Sequence, residues 1–145
     1  MAITQAMCTS FKKALLDGEM DFSSDTTQTF RIALYTSSAN LDADTTAYTA
    51  TGEVADGGEY SATGKPLTIS TNPTTADGKA YLSFSDVTWA AATITARGAL
   101  IYKSGGGNPA VAVLNFTEDK TSTAGDFTIQ FPSPVSSSNA IIRIE

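Results

Sequence analysis

Apolar and polar residues alternate in short runs along most of this chain. Phe30, Ile32 and Leu34 alternate with Arg31, Ala33 and Tyr35, which predicts a strand. Ala80–Phe84 alternates in the same way. Thr93–Tyr102, Ala110–Phe116, Asp126–Phe131 and Ala140–Glu145 are rich in β-branched and aromatic residues and read as further strands. Turn formers bound them: Gly105-Gly106-Gly107-Asn108-Pro109, Ser122-Thr123-Ala124-Gly125 and Pro132-Ser133-Pro134. Ile141, Ile142 and Ile144 are costly to leave in water, so the last segment is expected to pair into a sheet. Lys65–Ser70 is a weaker strand, which Pro66 pushes toward a sheet edge or a strand start, and Ala47–Val54 is a short one. Asp21–Gln28, Thr36–Thr46 and Thr71–Gly78 read as loops, and Asp56-Gly57-Gly58-Glu59 as a turn. Trp89, in Asp86-Val87-Thr88-Trp89, reads as a core anchor.

The N-terminal pattern is different. Ala6, Met7, Phe11, Ala14 and Leu15 fall at helical spacing across Thr4–Leu16, with Lys12 and Lys13 on another face. Thr4 or Thr9 is placed to cap the start, and Gly18 suits a left-handed end. This predicts one short helix or arm over residues 4–17, ahead of a β body over 29–145. The helix packs on that body or docks on a neighbouring subunit; amphipathicity shows burial but not against what, and packing within the chain is the simpler reading. Seven to eight short antiparallel strands with nothing helical between them predict a mainly β fold, a single-domain β-sandwich or jelly-roll-like body. No linker divides the 145 residues into two domains. A weak echo between Ala33-Leu34-Tyr35-Thr36-Ser37 and Ala99-Leu100-Ile101-Tyr102-Lys103-Ser104 is explained by two similar strands.

Composition narrows the chemistry. The apolar share of 41% suits a packed core, and a net charge of −6 argues against nucleic acid as the main partner. There is no histidine, which removes imidazole acid–base chemistry and the Ser-His-Asp arrangement. Cys8 is the one cysteine, so an intrachain disulfide and a multi-thiolate zinc site are excluded. Such a fold must hold by core packing or by association with copies of itself. No basic segment followed by a long apolar stretch opens the chain, so no signal peptide is expected, and no apolar run approaches membrane-spanning length.

The motifs are mostly negative. Gly58-Glu59-Tyr60-Ser61-Ala62-Thr63-Gly64-Lys65 has the wrong glycine spacing for a phosphate loop, and Pro66 stands where a metal-binding hydroxyl belongs. Ser10-Phe11-Lys12-Lys13 lacks the companion elements of acyl-transfer enzymes. Asn115-Phe116-Thr117 fits a glycosylation acceptor at a strand end, in a chain without a secretory signal. Asp42-Ala43-Asp44 and the Glu19, Asp21, Asp25 set lack the spacing and closing glutamate of a calcium loop. These negatives predict a protein without enzymatic activity, cofactor or metal.

Several strings together carry a resemblance. They are Met1-Ala2-Ile3-Thr4-Gln5-Ala6-Met7-Cys8-Thr9-Ser10-Phe11-Lys12, Phe30-Arg31-Ile32-Ala33-Leu34-Tyr35-Thr36-Ser37-Ser38-Ala39, Tyr48-Thr49-Ala50-Thr51-Gly52-Glu53-Val54 and Asp86-Val87-Thr88-Trp89. Thr95-Ala96-Arg97-Gly98-Ala99-Leu100-Ile101-Tyr102, Ala110-Val111-Ala112-Val113-Leu114, Gly125-Asp126-Phe127-Thr128-Ile129 and Asn139-Ala140-Ile141-Ile142-Arg143 continue it. Nearly end to end, the chain resembles a family of small virion structural proteins of tailed bacteriophages. It departs from that pattern at Val54–Gly58, in a loop. The resemblance implies a non-enzymatic capsid decoration (cement) protein on the virion surface, made in the bacterial host cytoplasm. It further implies a homotrimer bound to the major capsid protein, with neither nucleic acid nor membrane as partner. A tail or neck component (tube, adaptor or fibre base) and a host-glycan-binding module are the alternatives, since such β bodies serve all three.

Candidate contact residues follow. Among Tyr35, Tyr48, Tyr60, Tyr81, Tyr102 and Trp89, the two expected on loops, Tyr48 and Tyr60, are the interface candidates. Phe11 joins them on the arm reading of the helix. Arg97, in an otherwise small and apolar strand, needs a partner from its own chain or the next if buried, or else stands solvated on the outer sheet face. A glycan platform would draw on Tyr48, Tyr60 and Trp89.

Overall fold

The computed structural model describes residues 2–132 and 140–144. The expected turn residues Ser133 and Pro134, the Asn139 of the resemblance and the closing Glu145 lie outside them. The elements run β1 (Ala6–Met7), α1 (Thr9–Leu16), β2 (Phe30–Tyr35), β3 (Lys65–Pro66), β4 (Ile69–Ala76), β5 (Lys79–Phe84), β6 (Val87–Lys103), β7 (Ala110–Ile129) and β8 (Ile142–Ile144). They form two antiparallel sheets, one ordered β1-β7-β6-β2-β3 and one ordered β4-β5-β8. The fold is mainly β and sandwich-like, as the alternation predicts. Phe22 links the layers, stacking on Phe30 at 4.3 Å and meeting Phe84 of the second sheet edge-on at 6.4 Å. No helix among the described residues is long and apolar enough to cross a membrane.

β2 appears where its alternation predicts, and its residues Ile32–Tyr35 are all fully buried because it lies between β6 and β3. The two echoing segments are partners: Ala33 pairs with Leu100 and Leu34 with Ala99. Pro66 takes an edge strand, opposite Arg31, where its missing N–H costs no ladder bond.

The strands are not all short. β6 has 17 residues and β7 has 20. Ser122–Gly125 does not turn the chain: it is an irregularity inside β7, with Ala124 at φ 48° and the register shifting between Ile94↔Ser122 and Ala92↔Gly125. Only the Gly98–Lys103 end of β6 pairs with β2, so Val87–Ala96 and Lys120–Ile129 continue beyond the sheet as a two-stranded ribbon. Its inner face buries Val87, Trp89, Ala92, Ile94, Phe127 and Ile129. Its outer face carries threonine pairs, Thr88–Thr128 at 2.9 Å and Thr95–Thr121 at 3.0 Å between hydroxyls.

Other expectations are corrected. The helix begins at Thr9, not Thr4, because Ala6 and Met7 pair with Val113 and Ala112 of β7. Cys8 is its N-cap and makes no side-chain capping bond, so neither threonine caps it. Its end is as expected: Gly18 sits at φ 74°, its N–H donates to Leu15, and the Glu19 N–H donates to Ala14. Ala47–Val54 forms only isolated bridges, Ala47 with Pro109 and Glu53 with Tyr35. Lys65–Ser70 divides between β3 and the start of β4. Thr71–Ala76 belongs to strand β4, and Asp77-Gly78 is the two-residue turn to β5, with φ of 54° and 76°.

Candidate functional site

A polar cluster gathers where loop 47–64 lies on the first sheet. The Glu53 carboxylate is its centre. Tyr48 donates to Oε2 at 2.6 Å, and Tyr60 and the Thr63 N–H each donate to Oε1 at 2.7 Å. The Tyr60 hydroxyl also accepts the Leu34 N–H of β2 at 2.9 Å. Tyr35 donates to the Thr49 carbonyl and Tyr102 to the Thr63 carbonyl, both at 2.7 Å. Arg31 closes the far side, donating from Nη2 to the Gly64 carbonyl at 2.8 Å. The Val54 N–H donates to the Leu34 carbonyl at 2.9 Å, so backbone and side chains fasten the same loop.

Gly64 is fixed by geometry. Its φ is 73°, and a Cβ there would lie 1.8 Å from the Ile32 carbonyl oxygen. Its place at the end of a phosphate-loop-like string thus has a structural cause: the loop's backbone rests directly on β2.

Burial sets the protonation of the phenols. It is the main cause raising Tyr35, Tyr48, Tyr60 and Tyr102 above the ordinary 10.0, and it carries Tyr48 up to about 12 with help from the Glu53 bond. A folded chain therefore keeps these protons at pH values where an unfolded chain has lost them. The part of this stability that comes from Tyr48 is fully present below pH 10.0 and is lost as pH rises through about 12, while the more deeply buried Tyr35 and Tyr60 hold their protons to higher pH still. The expected outcome is a melting temperature that falls steeply over that interval. Thermal melts in parallel with tyrosinate absorbance check it, and a flat profile would show that these phenols titrate alike in the folded and unfolded chain.

The interface candidates are placed as follows. Phe11 and Tyr60 are not available to a partner and are corrected as contact residues. Phe11 is 0% exposed, edge-on to Phe22, and Tyr60 is 2% exposed because its loop folds back over the ribbon onto Trp89. The glycan platform does not form, since Trp89 is 1% exposed and packs against Tyr60 and Phe127. Tyr48 is half-buried, its ring 5.1 Å from that of Tyr102. Arg97 is half-exposed and finds its partner in its own chain, with Nε donating to Asp119 Oδ1 at 2.8 Å. Four β7 residues, Phe116–Asp119, bulge opposite this one arginine, between the pairs Ala96↔Lys120 and Gly98↔Asn115. The open pair contributes at most about 1 kcal/mol.

Cys8 is fully buried, and burial pushes its thiol up to about 11. It is an inert core residue. Among the described residues no group of three or more cysteines, aspartates or glutamates is placed to hold a metal ion. Asp42 and Asp21 instead accept the N–H groups of Asp44 and Ser23, two residues on, at 2.8 and 2.9 Å. A hollow of about 580 Å³ runs along β7 and is lined by Leu114, Phe116, Phe127, Ile129 and Phe131 among others. Comparison with family models, with curated proteins and with solved structures finds no match to this chain.

Proposed function

We propose that this chain is a non-enzymatic structural protein of a tailed-bacteriophage virion, a capsid decoration protein that binds the major capsid protein and stabilises the head. The virion assignment rests on the sequence strings that carry the resemblance. The observation that supports a structural role is the internal use of the polar cluster. Glu53 and the hydroxyls of Tyr35, Tyr48, Tyr60 and Tyr102 all bond within the chain, where they fasten a loop to the sheet. A decoration protein needs that kind of body: well fastened, polar outside, without a nucleophile. Closed symmetry and many copies then multiply modest contacts.

The test is the number and position of copies on purified particles, by stoichiometric mass spectrometry with antibody-gold labelling. Abundant label spread over the head is the expected result. Sparse label at the neck or tail tip would overturn it in favour of a tail component.

A further inference from the structure

Asp-Gly occurs three times in the chain, at residues 17–18, 56–57 and 77–78, each time outside the named strands and helix. This dipeptide carries its own chemistry. The glycine amide nitrogen reaches the aspartate Cγ because no Cβ crowds it. To bond there, the nitrogen must give up its proton, so an N–H held in a hydrogen bond is protected. Two of the three are held. The Gly18 N–H donates to the Leu15 carbonyl at 3.2 Å, and Asp17 is paired with Lys13. The Gly57 N–H donates to the Tyr60 carbonyl at 2.9 Å, and Asp56 Oδ1 accepts the Ala62 N–H. Gly78 differs. It is exposed at the tip of the β4–β5 hairpin, and its N–H has no acceptor among the described residues.

We propose that Asp77-Gly78 is a modification site, where the chain spontaneously converts aspartate to isoaspartate through a succinimide, and that the change unfastens β4 from β5. In the first step the Gly78 nitrogen bonds to Asp77 Cγ. The amide proton and the carboxyl hydroxyl leave together as water, which closes the ring. Water then opens the ring at one of its two carbonyls. Opening at Cγ restores aspartate. Opening at the other leaves Gly78 joined through Cγ, with Cβ now part of the main chain. One water is lost and one gained, so no further reactant is needed. The consequence follows from the turn. Asp77 and Gly78 are the whole of it, at φ 54° and 76°, and the Ala76↔Lys79 pair closes it. An added main-chain carbon breaks the match between a two-residue turn and its flanking strands. The regular pairs of this ladder, Thr74↔Tyr81, Thr75↔Ala80 and Ala76↔Lys79, all adjoin the turn, and the register shifts beyond them. β4 has no other partner among the described strands. In an assembly whose copies are not replaced, the change accumulates with age. The chemistry is a property of the chain alone and stands apart from the virion reading.

The test is to age the purified full chain in warm, mildly acidic buffer, where a carboxyl carries the proton it leaves with. Electron-transfer fragmentation of its peptides then follows each Asp-Gly bond separately. Isoaspartate at residue 77 is expected to form at least about fivefold faster than at 17 or 56, the rate equivalent of one hydrogen bond, and the three rates are expected to converge in denaturant. Backbone hydrogen exchange over Thr74–Ala76 is expected to quicken in step with the conversion. It should not quicken in Asp77→Glu, whose side chain is one carbon too long to close the same ring. Conversion at residue 77 no faster than at the other two overturns the proposal. Conversion without faster exchange, or faster exchange in the aged Asp77→Glu chain as well, overturns the loosening of β4.

Discussion

Gly64→Ala is expected to lower the melting temperature by about 10 °C or more, a loss of roughly 3–5 kcal/mol. Two costs combine. A φ of 73° is unfavourable for any L residue, by about 1–2 kcal/mol. The new methyl would also lie 1.8 Å from the Ile32 carbonyl oxygen and 2.6 Å from its carbon, which are backbone atoms of a buried central strand. They give way only if the loop lifts off β2, which breaks the Arg31↔Pro66 and Ile32↔Lys65 pairs. Gly78→Ala separates the two costs. Its φ is 76°, yet nothing lies within 4 Å of the added carbon. It is expected to lose about 1 kcal/mol. Thermal and denaturant unfolding of both variants measure the difference, and equal losses would show that the contact with Ile32 is unimportant.

Glu53→Ala should cost about 3–4 kcal/mol. It removes the acceptor for Tyr48, Tyr60 and the Thr63 N–H at once. Hydrogen bonds to a charged group are each worth about 1.5–3 kcal/mol, and the buried Tyr60 hydroxyl is left without a partner for its proton. Glu53→Gln keeps an oxygen for one donor and turns an amide nitrogen toward the rest, so it should lose about half as much. It also removes the negative charge that helps hold Tyr48 near 12, so that phenol should titrate closer to 10.0. Denaturant unfolding and tyrosinate absorbance together check this. A Gln variant as unstable as the Ala variant would mean that side-chain volume, not hydrogen bonding, is what Glu53 supplies.

The sequence is legible where burial is one-sided or complete. Phe30–Tyr35 and Lys79–Phe84 alternate or run apolar because each has a core to face. Thr71–Ala76 shows no such pattern because β4 is an edge strand whose residues are mostly exposed, and Pro73 makes it look like a loop. Ser122–Gly125 has turn composition because an irregular strand wants the same residues as a turn. The helix start is hidden at Ala6 and Met7, whose apolar character serves a strand pair while mimicking helical spacing. The polar cluster is the least legible part. Glu53 in Thr-Gly-Glu-Val carries no local signal, since its donors lie five, seven and ten residues away on a folded loop. Tyr60 does lie on a loop, but a loop residue is exposed only if its loop is not folded back on the sheet. Leu16, 90% exposed at the end of α1, is the converse: an apolar residue that falls off the helix's periodic buried face.

The long ribbon also ranks the order in which the sheet is assembled. Seven residues separate Tyr102 from its partner Ala110, whereas sixty-two separate Tyr35 from Gly98. Closing the longer loop in an unfolded chain costs about 2 kcal/mol more in entropy. Within this sheet the β6–β7 hairpin is therefore the cheapest pairing to nucleate, and it is already the longest. β2 reaches it from one side and β1 from the other, each as a late addition to a template that the chain has built from its own C-terminal half.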